Sequence, residues 1–125
     1  MKPTRTTPGD VSPYVTRDGS LIYELMHPSR HGVSRLSFAR ALVEPGQKTI
    51  LHRHRRTEEI YHVIRGTGVM TLGEEVFSIG AGDTICIGPG RLHRVENTGD
   101  EPLEFFCCCA PPYSHEDTEI QPERG

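Results

Sequence analysis

Two stretches of the sequence decide its fold: GQKTILHRHRRTEEIYHVIRG at residues 46–66 and GDTICIGPGRLHRVEN at residues 82–97. Each consists of short apolar and β-branched runs that are bounded by glycine-containing turn signals. Such runs favour β-strands, because branched and aromatic side chains fit a pleated surface. The same pattern continues outward on both sides, from Tyr14 to Cys109. The sequence therefore predicts a fold built from many short strands.

The composition favours an all-β barrel or sandwich with little helix. The chain of 125 residues contains 13 Gly and 10 Pro, and these residues interrupt the longer stretches with helical spacing. This length corresponds to one domain. We predict a flexible N-terminal arm at residues 1–13, a barrel domain at residues 14–110 and a proline-rich, acidic tail at residues 111–125. Within the barrel, residues 69–72 and 76–79 are predicted to form a hairpin.

Charge and hydropathy exclude several classes of function. The 14 Lys and Arg residues are outnumbered by 17 Asp and Glu residues, which gives a formal net charge of −3. Proteins that bind nucleic acid are usually basic, so we expect no nucleic-acid partner. No apolar run is long enough to span a bilayer, and the N-terminus lacks the apolar region of a secretory signal. We therefore expect a cytoplasmic protein without membrane association.

The histidines are candidates for a metal site. The chain has seven: His27, His31, His52, His54, His62, His93 and His115. His52 and His54 are two residues apart, so in a strand both imidazoles point to the same face. Glu58 and Glu59 open the next apolar run, and His93 follows a tight Gly-Pro-Gly corner that can turn it toward the same cavity. Imidazoles and a carboxylate are suitable ligands for a divalent transition metal ion.

At these residues the sequence resembles the cupins, a family of small β-barrels with two recurring motifs. The first motif is G(X)5HXH(X)3–4E(X)6G. It is matched throughout by Gly46, His52, His54, Glu59 and Gly66. Glu58 is the rival of Glu59, but only Glu59 leaves six residues before the last glycine of the motif. The resemblance therefore selects Glu59.

The second cupin motif, G(X)5PXG(X)2H(X)3N, is matched with one departure. The matching residues are Gly82, Gly90, His93 and Asn97. Gly88 stands where the motif has proline, so the corner lacks a stiffening residue while the histidine is kept. Only 15 residues, 67–81, separate the two motifs. This short spacing resembles the compact single-domain microbial type of cupin.

The resemblance carries expectations for fold, cofactor and assembly. It implies a double-stranded β-helix, or jelly-roll, barrel over most of the chain. It also implies one divalent metal ion held by four side chains, those of His52, His54, Glu59 and His93. Mn, Fe, Co, Ni and Zn all suit such a mixed nitrogen and oxygen ligand set. Cupins of this size commonly pair through their sheets, so we expect a homodimer.

The resemblance also implies a class of function. A metal ion with open coordination positions can polarise a carbonyl or carboxylate, or acidify a bound water. Small cupins are most often metal-dependent enzymes for small carboxylate- or hydroxyl-rich molecules, such as oxygenases, decarboxylases, and sugar isomerases or epimerases. The alternative is a non-catalytic module that binds or senses a small molecule. A structural or storage role is disfavoured because all four expected ligands are present.

Further residues are candidates for catalysis and substrate binding. Tyr61 lies two residues after Glu59 and shares its strand face, so its phenol is the candidate catalytic donor; the alternative is an ordinary barrel aromatic. Tyr113 and His115 either fold over the barrel mouth as a lid or belong to a solvated tail or a dimer arm. Three arginines are candidates for attracting an anionic substrate: Arg40, Arg91 and Arg94.

The cysteines favour buried, reduced thiols. Cys107, Cys108 and Cys109 are consecutive, and the fourth is Cys86. Neighbouring residues of a strand point to opposite faces, so adjacent cysteines of the triplet are poorly placed for a disulfide. The chain has no CxxC pair of the structural zinc type. The alternative is a metal-binding or redox-active pair formed by Cys107 and Cys109.

Overall fold

The computed structural model describes residues 1–122, and their regular secondary structure is almost entirely β-strand. A short 3₁₀ turn at Pro8–Asp10 precedes the strands. The strands are β1 (Tyr14–Val15), β2 (Leu21–Met26), β3 (Ser37–Val43), β4 (His52–His54), β5 (Glu58–Arg65), β6 (Thr67–Leu72), β7 (Glu75–Gly80), β8 (Thr84–Ile87), β9 (His93–Glu96), β10 (Leu103–Ala110) and β11 (Thr118–Ile120). Within this range no helix is long and apolar enough to cross a membrane. The predicted all-β fold is confirmed.

The strands form two antiparallel sheets with the core between them. The larger sheet has the order β1-β2-β3-β10-β5-β8, and the smaller sheet has the order β11-β4-β9-β6-β7. Strands that are distant in the sequence are therefore neighbours, as in a jelly roll: β10 lies between β3 and β5, and β9 lies between β4 and β6. The predicted hairpin is present as β6 and β7, with Met70 opposite Phe77.

Alternation along the strands produces the core. In β10 the inward side chains are buried while the residues between them are half-buried. Leu103 and Phe105 of this strand are almost completely removed from solvent, as are Val63 of β5 and Met70 of β6. Burial of a large apolar side chain contributes about 1.5–3 kcal/mol. The barrel interior is thus an environment of low polarity for any polar group inside it.

Two glycines of the motifs have definite backbone roles. Gly66 has φ of +86°, and a Cβ atom at this position would lie 2.5 Å from the carbonyl oxygen of Pro102, so only glycine fits. Gly90, with φ of +80°, donates a backbone hydrogen bond of 2.7 Å to the carbonyl oxygen of His54. This bond ties the corner that precedes His93 to strand β4.

The N-terminal arm, residues 1–13, lies against the end of β2 and the loop that follows it. The backbone N–H of Gly32 donates to the carbonyl oxygen of Pro3 at 2.8 Å. The hydroxyl of Thr6 donates to the carbonyl oxygen of Leu25 at 3.0 Å. These two hydrogen bonds attach the arm to the barrel.

The C-terminal segment, predicted as a tail over residues 111–125, contains a strand of the smaller sheet. Strand β11 pairs with β4, and Thr118 lies opposite His54. The carboxylate of Asp117 accepts the backbone N–H groups of Arg56 and Thr57 at about 3.1 Å, which fixes the start of this strand. Residues 123–125 lie outside the described residues. The segment therefore covers the edge of β4 beside two of the predicted ligands.

Candidate metal centre

The four predicted metal ligands meet between the two sheets. His52 and His54 lie on β4, His93 lies on β9, and the pairing of these strands sets His52 directly opposite His93. Glu59 comes from β5 in the opposite sheet, and all four side chains are buried. Glu58 is exposed. The alternation of β5 thus turns Glu59, and not Glu58, into the barrel.

The side-chain nitrogens of the three histidines converge on the glutamate. One ring nitrogen each from His52, His54 and His93 lies within 4.8 Å of the others. Glu59 Oε1 is 3.2 Å from His54 Nε2 and 3.5 Å from His93 Nε2. Glu59 Oε1 and His93 Nε2 are buried, yet neither has a hydrogen-bond partner in the described part of the chain. Because such atoms are costly, they indicate a site for a further group.

Backbone carbonyl groups set the tautomer of two histidines. His52 Nδ1 lies 2.7 Å from the carbonyl oxygen of Ile50, and His93 Nδ1 lies 2.9 Å from that of Arg91. A carbonyl oxygen only accepts hydrogen bonds, so both Nδ1 atoms must carry the proton. In the neutral rings the lone pair is then on Nε2, the atom that points into the site.

A threonine hydroxyl sets the tautomer of the third histidine, His54. His54 Nδ1 lies 3.0 Å from Thr118 Oγ1 of β11. The Thr118 hydroxyl donates its own hydrogen to the carbonyl oxygen of Ser114 at 2.9 Å, so its oxygen must accept from His54 Nδ1. All three Nε2 atoms therefore present lone pairs. This arrangement is typical of histidines that bind metals.

The protonation states also suit a cation. Burial alone would raise the pKa of Glu59, but in the metal-free protein the hydrogen bonds and positive charge that His54 and His93 supply when Nε2 also carries a proton hold it well below its usual range, so the carboxylate is ionised. Burial, together with repulsion from His93, lowers the pKa of His52 to about 4, so this ring is neutral near pH 7. A neutral nitrogen set with one carboxylate fits a divalent transition metal ion.

A second carboxylate, which sequence reasoning missed, faces the histidines. Asp18 lies in the turn between β1 and β2, and its Oδ2 is 3.5 Å from His52 Nε2. Its Oδ1 accepts hydrogen bonds from the backbone N–H of Ser20 at 2.9 Å and from the hydroxyls of Ser20 and Thr16. These bonds fix the carboxylate beside the site. Asp-Gly pairs are ordinary turn signals, so the sequence does not distinguish Asp18 from other turn residues.

The thiol of Cys109 forms a hydrogen bond with the carboxylate of Glu59. Cys109 on β10 lies opposite Glu59 on β5, and its thiol donates a hydrogen bond of 3.1 Å to Glu59 Oε2. Burial raises the pKa of the Cys109 thiol, as it does for the buried Cys107 on the same face. Both are free thiols, as are Cys86 and Cys108. The prediction of buried, reduced thiols agrees with Cys107 and Cys109, but Cys108 is half-buried and Cys86 is exposed, so burial is wrong for Cys86.

A narrow cavity of about 40 Å³ adjoins the site, which is room for a few water-sized groups. Polar groups line one part of it, with Asp18, Glu24 and Glu59 among them. Apolar residues of the larger sheet also line it: Ile22, Ala39, Ala41 and Phe105. Such walls limit the access of water and strengthen electrostatic interactions inside the cavity.

Tyr61, the candidate catalytic residue, lies in this cavity. It is buried on the same face of β5 as Glu59, and its ring meets the His93 ring edge-on with centroids 5.9 Å apart. Burial, together with the nearby Glu59 charge, raises the pKa of Tyr61 well above its usual value. The phenol is therefore a protonated donor at neutral pH.

The C-terminal segment brings a second tyrosine to the cavity. Tyr113 lines it, and the Tyr113 and His54 rings meet edge-on with centroids 5.8 Å apart. The Tyr113 hydroxyl lies 3.0 Å from Nδ1 of His115, which is exposed on the outer side. Burial raises the pKa of Tyr113 to about 12. Of this pair, Tyr113 reaches the cavity and His115 does not.

The three candidate arginines do not reach the cavity. The guanidinium of Arg40 lies 3.9 Å from the centre of the Tyr23 ring and 3.7 Å from the Glu104 carboxylate. Arg91 donates to the carbonyl oxygen of Leu72 at 3.2 Å. Within residues 1–122, no Arg or Lys side chain lines the cavity, Arg94 included. The expectation that these arginines attract a substrate into the site has no support in this geometry.

The remaining histidines lie elsewhere. His62 is exposed, with Nδ1 2.8 Å from the Thr84 hydroxyl, as the strand alternation predicts. His31 Nδ1 accepts the backbone N–H of His27 at 2.9 Å. His27 Nε2 lies 2.8 Å from the carbonyl oxygen of Tyr113. These residues have packing or surface roles.

Comparison with known proteins agrees with the motifs. The cupin domain family profile matches residues 39–109. The chain is 49% identical over 120 residues to the uncharacterized protein MJ1618 of Methanocaldococcus jannaschii, and this alignment covers 96% of each chain. It is 38% identical over 82 residues to the oxalate-binding protein of Thermotoga maritima, with coverage of 66% of this chain and 67% of the relative.

A solved structure shows the same architecture. The structure of Pac13, described as a nucleoside dehydratase, matches with a TM-score of 0.74 at 21% identity, over 97% of this chain and 92% of that chain. The likeness at this identity concerns the fold. The chain belongs to the cupin family, because the family profile matches residues 39–109, which is more than half of the chain.

Proposed function

We propose that this cupin holds one divalent transition metal ion through His52, His54, Glu59 and His93. One observation carries the proposal: Glu59 Oε1 and His93 Nε2 are buried without a hydrogen-bond partner among the described residues. The Nε2 atoms of the other two histidines lie beside them, with lone pairs that the Nδ1 hydrogen bonds leave free. Mn, Fe, Co, Ni and Zn suit this donor set alike.

The surrounding residues have distinct tasks in this proposal. A bound metal ion supplies Lewis acidity to an oxygen atom of a small molecule. Tyr61 donates a hydrogen bond to that molecule, because its phenol stays protonated. Asp18 accepts one, because its Oδ2 faces the site while Oδ1 is held by the turn. The apolar walls of the cavity exclude bulk water from these contacts.

We further propose that the protein is an enzyme for a small carboxylate- or hydroxyl-rich molecule. The reaction classes are those of an oxygenase, a decarboxylase, or a sugar isomerase or epimerase. Support comes from a protonated phenol and an ionised carboxylate that line the same cavity. Two similar proteins indicate ligands of these chemical classes: the Thermotoga maritima relative is named for oxalate, and Pac13 has been solved with uridine.

A non-catalytic binding or sensing module is the second candidate. The name of the Thermotoga maritima relative, an oxalate-binding protein, favours it. A screen of the metal-loaded protein against small acids, nucleosides and sugar phosphates distinguishes the two candidates. Product formation or dioxygen uptake indicates an enzyme. Ligand binding by calorimetry without turnover indicates a binding module.

The metal proposal is tested by elemental analysis and by one variant with a matched control. We expect about one equivalent of a transition metal in the protein as isolated, or after loading with Co(II). His93→Ala is expected to lose tight Co(II) binding while keeping the β-sheet circular dichroism spectrum, because the core is apolar and independent of the ion. His62→Ala removes an exposed histidine and is expected to bind Co(II) like the wild type. Equal binding by both variants would contradict the proposal.

We also propose that two copies pair through the outer face of the larger sheet. On this face Phe38 and Phe106 stack with ring centroids 5.1 Å apart, and Ile60 is 44% exposed. An apolar surface of this kind gains stability when a partner covers it. Light scattering is expected to show a dimer that Ile60→Glu converts to a monomer. Val76→Glu, at an exposed position of the smaller sheet, is the control that keeps the dimer.

A further inference from the structure

Glu24, a residue without a position in either motif, lines the same cavity as the candidate ligands. It lies on β2 of the larger sheet and is only 8% exposed. Its Oε2 accepts a hydrogen bond of 2.9 Å from the hydroxyl of Tyr14, but its Oε1 is buried with no partner among residues 1–122. A buried, unpartnered carboxylate oxygen needs a hydrogen-bond donor.

The cavity therefore has a distinctly acidic lining. Three carboxylates line it, those of Asp18, Glu24 and Glu59, and no Arg or Lys side chain does so in the described part of the chain. These charges exceed that of one divalent ion, since the imidazoles are neutral ligands. The net charge of the cavity is thus negative, and an anion that enters it is repelled. The repulsion is strong because the environment has low polarity.

The cavity also continues into a wider outer cleft. This cleft has a volume of about 400 Å³ and shares Tyr14, Glu24 and Tyr113 with the inner cavity. Arg30 lines the outer cleft but not the inner cavity. Glu24 and the two tyrosines thus stand between the outer cleft and the candidate metal centre, where an entering ligand passes them.

We propose that Glu24 is a specificity-determining residue that selects ligands with a hydroxyl donor over small dicarboxylates. This inference rests on the proposed metal site. A ligand hydroxyl donates to Glu24 Oε1 and supplies the partner that this oxygen lacks. A second carboxylate on the ligand supplies no donor and is repelled by Glu24. The substrate class of the site is therefore a hydroxyl-bearing molecule and not a dianion such as oxalate.

Oxalate and glycolate form a matched pair of probes, because they have nearly the same size. Glycolate has a hydroxymethyl group in place of one carboxylate of oxalate. Their affinities for the Co(II)-loaded protein are measured by calorimetry at pH 8. Glu24→Gln removes the charge and keeps the shape. We expect this variant to bind oxalate at least about ten-fold more tightly than the wild type does and to change glycolate affinity less than about three-fold.

Two further variants isolate the effect. Glu116→Gln removes the same charge from the outer cleft, where the side chain is exposed, and is expected to leave both affinities as in the wild type. Tyr14→Phe removes the phenol donor and keeps the Glu24 charge, so oxalate is expected to bind no better than to the wild type. Glu24→Ala, which also removes the charge, provides the test should Glu24→Gln fail to fold, and it is likewise expected to bind oxalate more tightly than the wild type does.

The outcomes are separable from those of the metal proposal. Equal oxalate affinity in the wild type and Glu24→Gln, or an equal gain for both probes, would overturn the role of Glu24 alone. Binding of neither probe to the Co(II)-loaded wild type would overturn it as well, because the cavity would then admit no ligand of this size. Failure of the wild type to retain Co(II) would overturn the metal site first and this inference with it.

Discussion

Cys109 holds Glu59 in place across two neighbouring strands: its thiol donates to Glu59 Oε2 at 3.1 Å, while Oε1 of the same carboxylate faces the histidines. The two residues are directly opposite in the register of β10 and β5. The hydrogen bond fixes the rotation of the carboxylate and leaves one oxygen for a cation. Removal of a group that orients a metal ligand in this way commonly lowers metal affinity about ten-fold or more.

Cys109→Ala is expected to weaken Co(II) binding about ten-fold, because Glu59 Oε2 loses the hydrogen bond from the Cys109 thiol. Cys109→Ser keeps a hydroxyl donor and is expected to retain most of the affinity. Calorimetric titration of the metal-free protein measures both. Cys108→Ala, at the half-buried neighbour that points to the opposite face, is the control. Weakening by Cys108→Ala to the same degree would show that the effect is not specific to Glu59.

Thr118→Val is expected to lower Co(II) affinity about ten-fold through His54. The valine has the same shape but cannot accept the Nδ1 hydrogen of His54, so the ring loses its fixed tautomer. Thr118→Ser is expected to restore binding, and Glu119→Gln, at the next and partly exposed position of β11, serves as the control. The measurement is again calorimetry. Unchanged affinity in Thr118→Val would mean that β11 has no part in forming the site.

The sequence was sufficient to predict the residues whose geometry is local. A period of two along a strand sets His52 and His54 on one face and sets Glu58 and Glu59 on opposite faces, but the choice of Glu59 over Glu58 required the family motif. The glycine-containing turn between β6 and β7 likewise has a local signature, and the predicted hairpin has this form. His93 required the family motif, because only the pairing of β4 with β9 brings it to His52.

The contacts that were missed join segments that are distant in the sequence. Asp18 approaches His52 from a turn between β1 and β2, and Cys109 meets Glu59 only because β10 inserts between β3 and β5. Glu24 has no neighbour in sequence that marks it as a cavity residue. Such pairings follow from strand order, which the alternation of apolar residues does not encode.

Asn97 is expected to be essential for stability and not for metal binding. Its buried amide group donates to the carbonyl oxygens of Val43 at 2.9 Å and Glu101 at 2.8 Å, and its Oδ1 accepts the backbone N–H of Gly99 at 2.9 Å. Asn97→Ala leaves these groups unpartnered, so we expect a loss of about 2–4 kcal/mol in the free energy of unfolding. Urea denaturation measures it, with Thr98→Ala, at an exposed position, as the control. A loss below about 1 kcal/mol would contradict this role.

The stability of the metal-free protein is expected to depend on pH through His52. Burial and the neighbouring His93 lower its pKa from 6.5 to about 4. Because the folded pKa is the lower one, the unfolded chain takes up the proton first, and stability is complete above pH 6.5 and decreases as the pH falls toward 4. The pKa of Glu59 is also lowered, but the stability that its carboxylate contributes is lost only as the pH falls below its ordinary value of 4.5. A change in stability between pH 7 and pH 5 is therefore attributed to the titration of His52 and not to that of Glu59.

In this window the free energy of unfolding of the metal-free protein is expected to decrease by about 2 kcal/mol toward pH 5 because of His52. Urea denaturation of chelator-treated protein at half-unit intervals of pH measures the decrease. His52→Asn removes the titrating ring and is expected to lose most of this dependence. His62→Asn, at an exposed position, is expected to keep the slope of the wild type. If His52→Asn and the wild type had equal slopes, the buried neutral state of His52 would not be the cause, and the low pKa assigned to this ring would be wrong.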